Sequence, residues 1–218
     1  MISTRRPSIT AALAGLLMAN GTPAAAREPT QMTPMGDQAC ALQAWINDIP
    51  GRDVEVRANP HVDAQVIGTL PHTGPDDDRL SIHISITASN SGWLKIQDAS
   101  DDDADRARPV YSGQGWIEAD AVRFGIQSGR GFAAPDARSD RVVDLDDNWA
   151  TEMGRIEKVL DCRQDWVLID FVQERRRDGD DRLIDIPVQD RLQRRAWFRG
   201  VCDAQETTCD MRSVDLEP

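Results

Sequence analysis

Apolar and polar residues alternate with a period of two through most of the chain beyond residue 38. Cys40, Leu42, Ala44 and Ile46 fall on one side of such a pattern and predict a strand ending at the turn Asn47–Gly51. Val54 and Val56 open a second strand that breaks at Arg57-Ala58-Asn59-Pro60, and Gln65–Pro71 reads as a third. After a charged turn at Gly74–Arg79, Leu80, Ile82, Ile84 and Ile86 form the cleanest alternation in the chain, with Ser81, His83 and Ser85 facing the other way. Ser91-Gly92 then turns into Trp93-Leu94-Lys95-Ile96. A polar insert, Asp98–Arg108, is expected as a loop before Tyr111 and Gly115-Trp116-Ile117, and Val122-Arg123-Phe124 closes the unit.

The pattern then recurs. Phe132-Ala133-Ala134-Pro135 stands for the segment ending at Pro60, Arg141–Leu145 for Gln65–Leu70, and Ile156–Leu160 for Ile82–Ile86. Asp165-Trp166 and Ala196-Trp197 take the places of Gly92-Trp93 and Gly115-Trp116. Pro60 to Pro135 is 75 residues, Val66 to Val142 is 76, Trp93 to Trp166 is 73 and Trp116 to Trp197 is 81. The last offset is longer because Arg175–Arg191 forms a larger loop. One consistent offset across four landmarks is the mark of an internal duplication. Short, regularly punctuated strands with few helical stretches predict an all-β architecture of barrels or sandwiches.

Composition adds an address. Arg5 and Arg6, the apolar run Ile9–Ala19 and Pro23-Ala24-Ala25-Ala26 have the layout of a secretory signal peptide, residues 1–26. Thr4-Arg5-Arg6 leaves open whether the general or the twin-arginine route is used. Residues 27–38 form a flexible lead, and no later apolar run is long enough for a membrane-spanning helix. Removing residues 1–26 takes away two of the 25 basic residues and none of the 37 acidic ones, so the net charge moves from −12 to 23 − 37 = −14. An acidic surface repels phosphate backbones and excludes nucleic acid as an expected partner. Export places the protein in the periplasm or outside the cell, where Cys40, Cys162, Cys202 and Cys209 are expected to form two disulfides. Three pairings are possible. Cys202–Cys209 closes the tight local loop, and Cys40–Cys162 would then tie the first half to the second.

Catalysis finds no support. The histidines, His61, His72 and His83, all lie in the first half, where Cys40 is the one thiol, and no Gly-x-Ser-x-Gly elbow occurs. Asp101, Asp103 and Asp105 have a calcium-loop spacing, but Arg106 and Ser112 stand where that loop needs Gly and Glu. These aspartates are read as a solvated hairpin tip, with no metal and no cofactor expected.

Val56-Arg57-Ala58-Asn59-Pro60, Val66-Ile67-Gly68-Thr69-Leu70, Gly92-Trp93-Leu94-Lys95-Ile96 and Gly115-Trp116-Ile117 together resemble the motif of bacterial SH3-type domains in exported envelope proteins. The first copy matches throughout. The second lacks Arg57 and both glycines. The resemblance implies two small SH3-like β-barrels in tandem, at 39–125 and 131–210, with a linker at 126–130 and a tail at 211–218. It also implies a non-catalytic binding or scaffolding module that recognises peptidoglycan or glycan, or else a protein-interaction or inhibitory module acting on another envelope protein. Barrels of this type bind extended ligands across aromatic-lined grooves, which makes Tyr111, Trp93 and Trp116 the candidate ligand residues. Arg175-Arg176-Arg177, a basic cluster on an acidic protein, is the candidate interaction patch.

Overall fold

A computed structural model describes residues 36–47, 52–72, 82–103 and 106–203. The expected signal peptide, most of the lead, the turn at 74–79, Cys209 and the tail lie outside the described residues. The fold is all-β. In the first half the strands are β1 (Gln38–Ile46), β2 (Val54–Arg57), β3 (Val66–Leu70), β4 (Ile82–Asn90), β5 (Trp93–Asp103), β6 (Arg106–Glu118) and β7 (Val122–Arg123). In the second they are β8 (Gly125–Ile126), β9 (Arg130–Phe132), β10 (Arg141–Asp144), β11 (Gly154–Arg163), β12 (Trp166–Gln173), β13 (Arg175–Arg177), β14 (Leu183–Asp185), β15 (Gln193–Phe198) and β16 (Val201–Cys202). One short helix, α1 (Ala150–Met153), precedes β11.

The duplication is written into the strand order. The first sheet runs β3-β2-β6-β5-β4 and is extended by β1 and β7; the second runs β10-β9-β15-β12-β11. Each strand of the second stands where its counterpart stands in the first. The register agrees as well, since Arg57 pairs with Trp116 and Phe132 pairs with Trp197. The edges repeat too: Ile46 and Trp45 pair with Val122 and Arg123, as Ile126 and Gly125 pair with Val201 and Cys202.

The alternation read in β4 is borne out residue by residue, with Ile82, Ile84 and Ile86 all buried. Ser91 and Gly92, both at positive φ, make the two-residue turn that leads into β5. Two expected loops are instead ladders. The insert at Asp98–Arg108 continues β5 and β6, paired as far as Asp103 and Arg106, because backbone hydrogen bonding does not require apolar side chains. Asp101 is buried there at 3% exposure and takes a 3.0 Å ion pair from Arg108, so it is not on a solvated tip. The stretch Arg175–Arg191 contains the hairpin β13–β14 and a 3₁₀ turn at Val188–Asp190.

The halves share one core. Leu42, Ile84, Ile96 and Ile117 from the first belong to the same buried cluster as Val143, Ile169, Phe171 and Phe198 from the second. Residues 126–130 join the halves without being a solvated connector: Ile126, Gln127 and Ser128 are all buried. The described residues accordingly fall in a single compact unit.

β1 fastens the halves together. It pairs with β4 along the first sheet. At its start Cys40 forms a disulfide with Cys162 of β11, across 122 residues of sequence. The backbone on either side is tied to the β11–β12 turn, Ala41 N–H donating to the Gln164 carbonyl and Gln164 N–H to the Ala39 carbonyl, both at 2.8 Å. Beside the disulfide, Ser89 and Asp161 are buried together. The Ser89 hydroxyl donates to the Asp161 carboxylate and accepts from Cys162 N–H at 3.1 Å. Cys202 is also disulfide-bonded.

One of the lost glycines of the second half, the one before Trp197, has a steric account. A Cβ on Gly115 would lie 2.3 Å from Val56 Cγ1, whereas at the matching place Gly131 faces Ala196, and a Cβ on Gly131 would lie 2.8 Å from that of Ala196. One side of the β2–β6 contact must be glycine, and the halves place it on opposite strands.

Two measurements follow. Replacing Cys40 and Cys162 together by Ala should lower stability by about 3–5 kcal/mol in urea unfolding, given the length of the closed loop. Gly115→Ala should cost about 1–3 kcal/mol by overpacking, and adding Val56→Gly should recover part of that loss; additive losses in the double variant would refute the steric account.

Candidate functional site

Of the residues singled out in the sequence, Trp93 and Tyr111 lie in two separate concave surfaces. The first surrounds Trp93 at the start of β5. Its cavity of about 350 Å³ is lined by Trp93 with Arg52, Arg57, Glu55, Glu118 and Asp120, among others. The strands set this arrangement. Trp93 lies across from Glu118 in the β5–β6 ladder, and Arg57 arrives on β2 beside Trp116. Arg57 is locked by a 2.7 Å hydrogen bond to the Ala64 carbonyl and an ion pair with Glu55, and Arg52 lies 3.5 Å from Glu118. Near the rim, burial pushes the Arg123 guanidinium below its ordinary range while Asp120 beside it pulls the other way. The result is a half-buried indole walled by charged side chains, with no nucleophile paired with a base in the lining.

The second surface holds Tyr111. Its cavity, about 420 Å³, lies on the outer face of β1, β4, β5 and β6. The Tyr111 ring packs over Gly68, where a Cβ would sit 2.4 Å from Cε2, and its hydroxyl donates to the Gln114 carbonyl at 3.0 Å. This contact explains why the Val-Ile-Gly stretch needs its glycine. Tyr111 and Trp93 therefore do not share a groove. Trp116, only 4% exposed, lines neither cavity and belongs to the core.

At the second-half counterpart of the Trp93 groove, two side chains pack on the half-buried Trp166 ring. Phe132, in the position of Arg57, meets Trp166 edge-on at 5.5 Å, and Arg199, two residues beyond Trp197 as Glu118 is beyond Trp116, lies 5.7 Å over the Trp166 ring. Arg163 covers Trp197 in the same way at 5.4 Å.

The arginine cluster is divided by its own strand. Successive residues of β13 point to opposite faces. Arg177 is held by Asn148 at 2.6 Å and Glu152 at 2.7 Å, Arg175 pairs in register with Asp185, and Arg176 is the exposed member. Run length in sequence does not translate into one basic surface. Among the described residues, no three His, Cys, Asp or Glu side chains come together to hold a metal ion.

Sequence reasoning missed the groove walls and the polar residues around Tyr111, because strand register decides which of many polar positions meet. No family model, no curated protein and no solved structure matches the chain.

The stacking around Trp166 generates a stability difference. Trp166→Ala should destabilise the protein by about 1–2 kcal/mol more than Trp93→Ala, since it also forfeits an aromatic pair and a cation–π contact. Equal losses in urea unfolding would refute the reading of Trp166 as a capped, structural residue.

Proposed function

We propose that the chain is a non-catalytic binding module of the bacterial envelope, periplasmic or secreted, built from two SH3-type units and recognising cell-wall material. The observation that carries this reading is the contrast between the tryptophans. Trp93 faces a groove with charged walls, while Trp166 at the repeated position, equally half-buried, carries Phe132 against its edge and Arg199 over its ring. In this reading the first unit holds the ligand and the second braces it. The signal-peptide layout and the Cys40–Cys162 bridge are both in keeping with an oxidising compartment.

A protein-interaction or inhibitory role is the second reading. It draws on the sheet edge at β3, where Val66 and Ile67 are 41% and 44% exposed beside Val62 at 58%. An edge strand with apolar side chains is a template for adding a partner's strand.

Residues 27–218 incubated with isolated cell wall should co-sediment, and Trp93→Ala should weaken this at least tenfold while Trp166→Ala, where folded, does not. Protein that stays in the supernatant at every salt concentration would overturn wall binding. Retention that depends on Ile67→Asp and not on Trp93→Ala would favour the second reading.

A further inference from the structure

We propose that the face of β1, β4, β5 and β6 around Tyr111 is a binding site for an uncharged oligosaccharide. The inference deepens the reading of the chain as a wall-binding module and rests on it for the source of the ligand, since glycan strands are the polyhydroxyl component of cell wall.

The face is organised by strand register. Gln43 pairs with Ser85, Ser85 with Gln97, and Gln97 with Gln114, so four polar side chains form one row across four strands. The row is joined internally, Ser85 Oγ donating to Gln43 Oε1 at 3.1 Å and Gln114 Nε2 to Gln97 Oε1 at 3.4 Å. Neighbouring strands lie about 4.8 Å apart, close to the length of one pyranose ring. A β-bulge at Asp98, with φ at 57°, turns its carboxylate onto Gly113 N–H at 2.9 Å beside the cavity and beside Tyr111.

The side-chain chemistry is what singles out the ligand. Amides and hydroxyls that both donate and accept match vicinal sugar hydroxyls, and a tyrosine ring offers a flat apolar surface to the C–H face of a pyranose. Charged residues make up 28% of the chain, yet Asp98 is the one Asp, Glu, Lys or Arg in the cavity lining. The matching face of the second half, which lines a cavity of about 320 Å³, carries a different chemistry. At the matching register Ser85, Gln97 and Gln114 are replaced by Lys158, Asp170 and Arg195, which pair in a row. Arg195 and Asp170 form a two-pronged ion pair at 2.9 and 3.0 Å, and the Asp170 carboxylate holds the guanidinium above its ordinary range. Tyr111 lies across from Ala99, whereas Gln193 lies across from Val172, the residue 73 beyond Ala99. The same scaffold thus carries a charge ladder on one half and a neutral amide–hydroxyl row with an aromatic ring on the other.

The test is calorimetric titration of residues 27–218 with chitotetraose, an uncharged β-1,4-linked amino-sugar oligomer. Saturable binding is expected, with an affinity that changes less than twofold between low and high salt, as a neutral ligand requires. Gln43→Ala with Gln97→Ala, two exposed side chains, should weaken it at least tenfold. The triple variant Ser85→Lys, Gln97→Asp, Gln114→Arg writes the second half's ladder onto the first and should remove binding with its circular dichroism unchanged. Binding that survives both variants would overturn the proposal. Wall sedimentation without chitotetraose binding would overturn the oligosaccharide site while leaving the wall-binding reading intact, and absence of both would overturn both.

Discussion

Everything in this fold depends on β1 serving two sheets. Its ladder belongs to the first half, but its first residues are clamped to the β11–β12 turn of the second by the Cys40–Cys162 bridge and two flanking backbone hydrogen bonds. Gln164, in that turn, holds a positive φ of 55°, which a non-glycine residue sustains only where its surroundings fix it. The clamp provides that fixation. It also explains the buried carboxylate of Asp161. Burying such a group is costly unless it is hydrogen-bonded, and Ser89 and Cys162 N–H supply both bonds at the point where β4 meets β11. A polar pair at this position gives the interface between the halves a defined register in a way that apolar packing does not.

Within that frame each half solves the same packing problem with its own residues. The β2–β6 and β9–β15 contacts admit one side chain between closely approaching backbones. The first half uses Val56 against Gly115 and the second Gly131 against Ala196. Total volume at the site, not the identity of either residue, is what the core constrains. The loss of the glycine before Trp197 is therefore a relocation, and it says nothing against a common fold for the two halves.

Much of this was legible in the sequence. The alternation of Ile82, Ile84 and Ile86 is a one-dimensional pattern that local geometry converts directly into a buried face, and the offsets between tryptophans translate into equal strand order. What was not legible depended on register or on long-range contact. Polar runs such as Asp98–Arg108 carry no periodic apolar signal, so their pairing as extended β5 and β6 was invisible. Arg175–Arg177 read as one patch because a sequence shows adjacency and not facing direction. Tyr111 and Trp93 are both candidate groove residues by type, and only the bulge at Asp98 and the close contact with Gly68 show that Tyr111 lies on a different face.

The divergence of the halves bears on where binding resides. At corresponding positions, core residues were exchanged conservatively, since Trp116 and Trp197 are both buried and Ile96 is matched by Ile169. Several positions changed in kind, among them Arg57 to Phe132, Glu118 to Arg199, Gln97 to Asp170 and, away from both cavities, Lys95 to Leu168. The first three line one of the two cavities of the first half. In the second half the first two cover Trp166, and Asp170 pairs with Arg195. What separates the halves at these surfaces is the partner each side chain finds: Arg57 and Glu118 pair with Glu55 and Arg52 around Trp93, whereas Phe132 and Arg199 pack on the Trp166 ring itself and Asp170 binds Arg195.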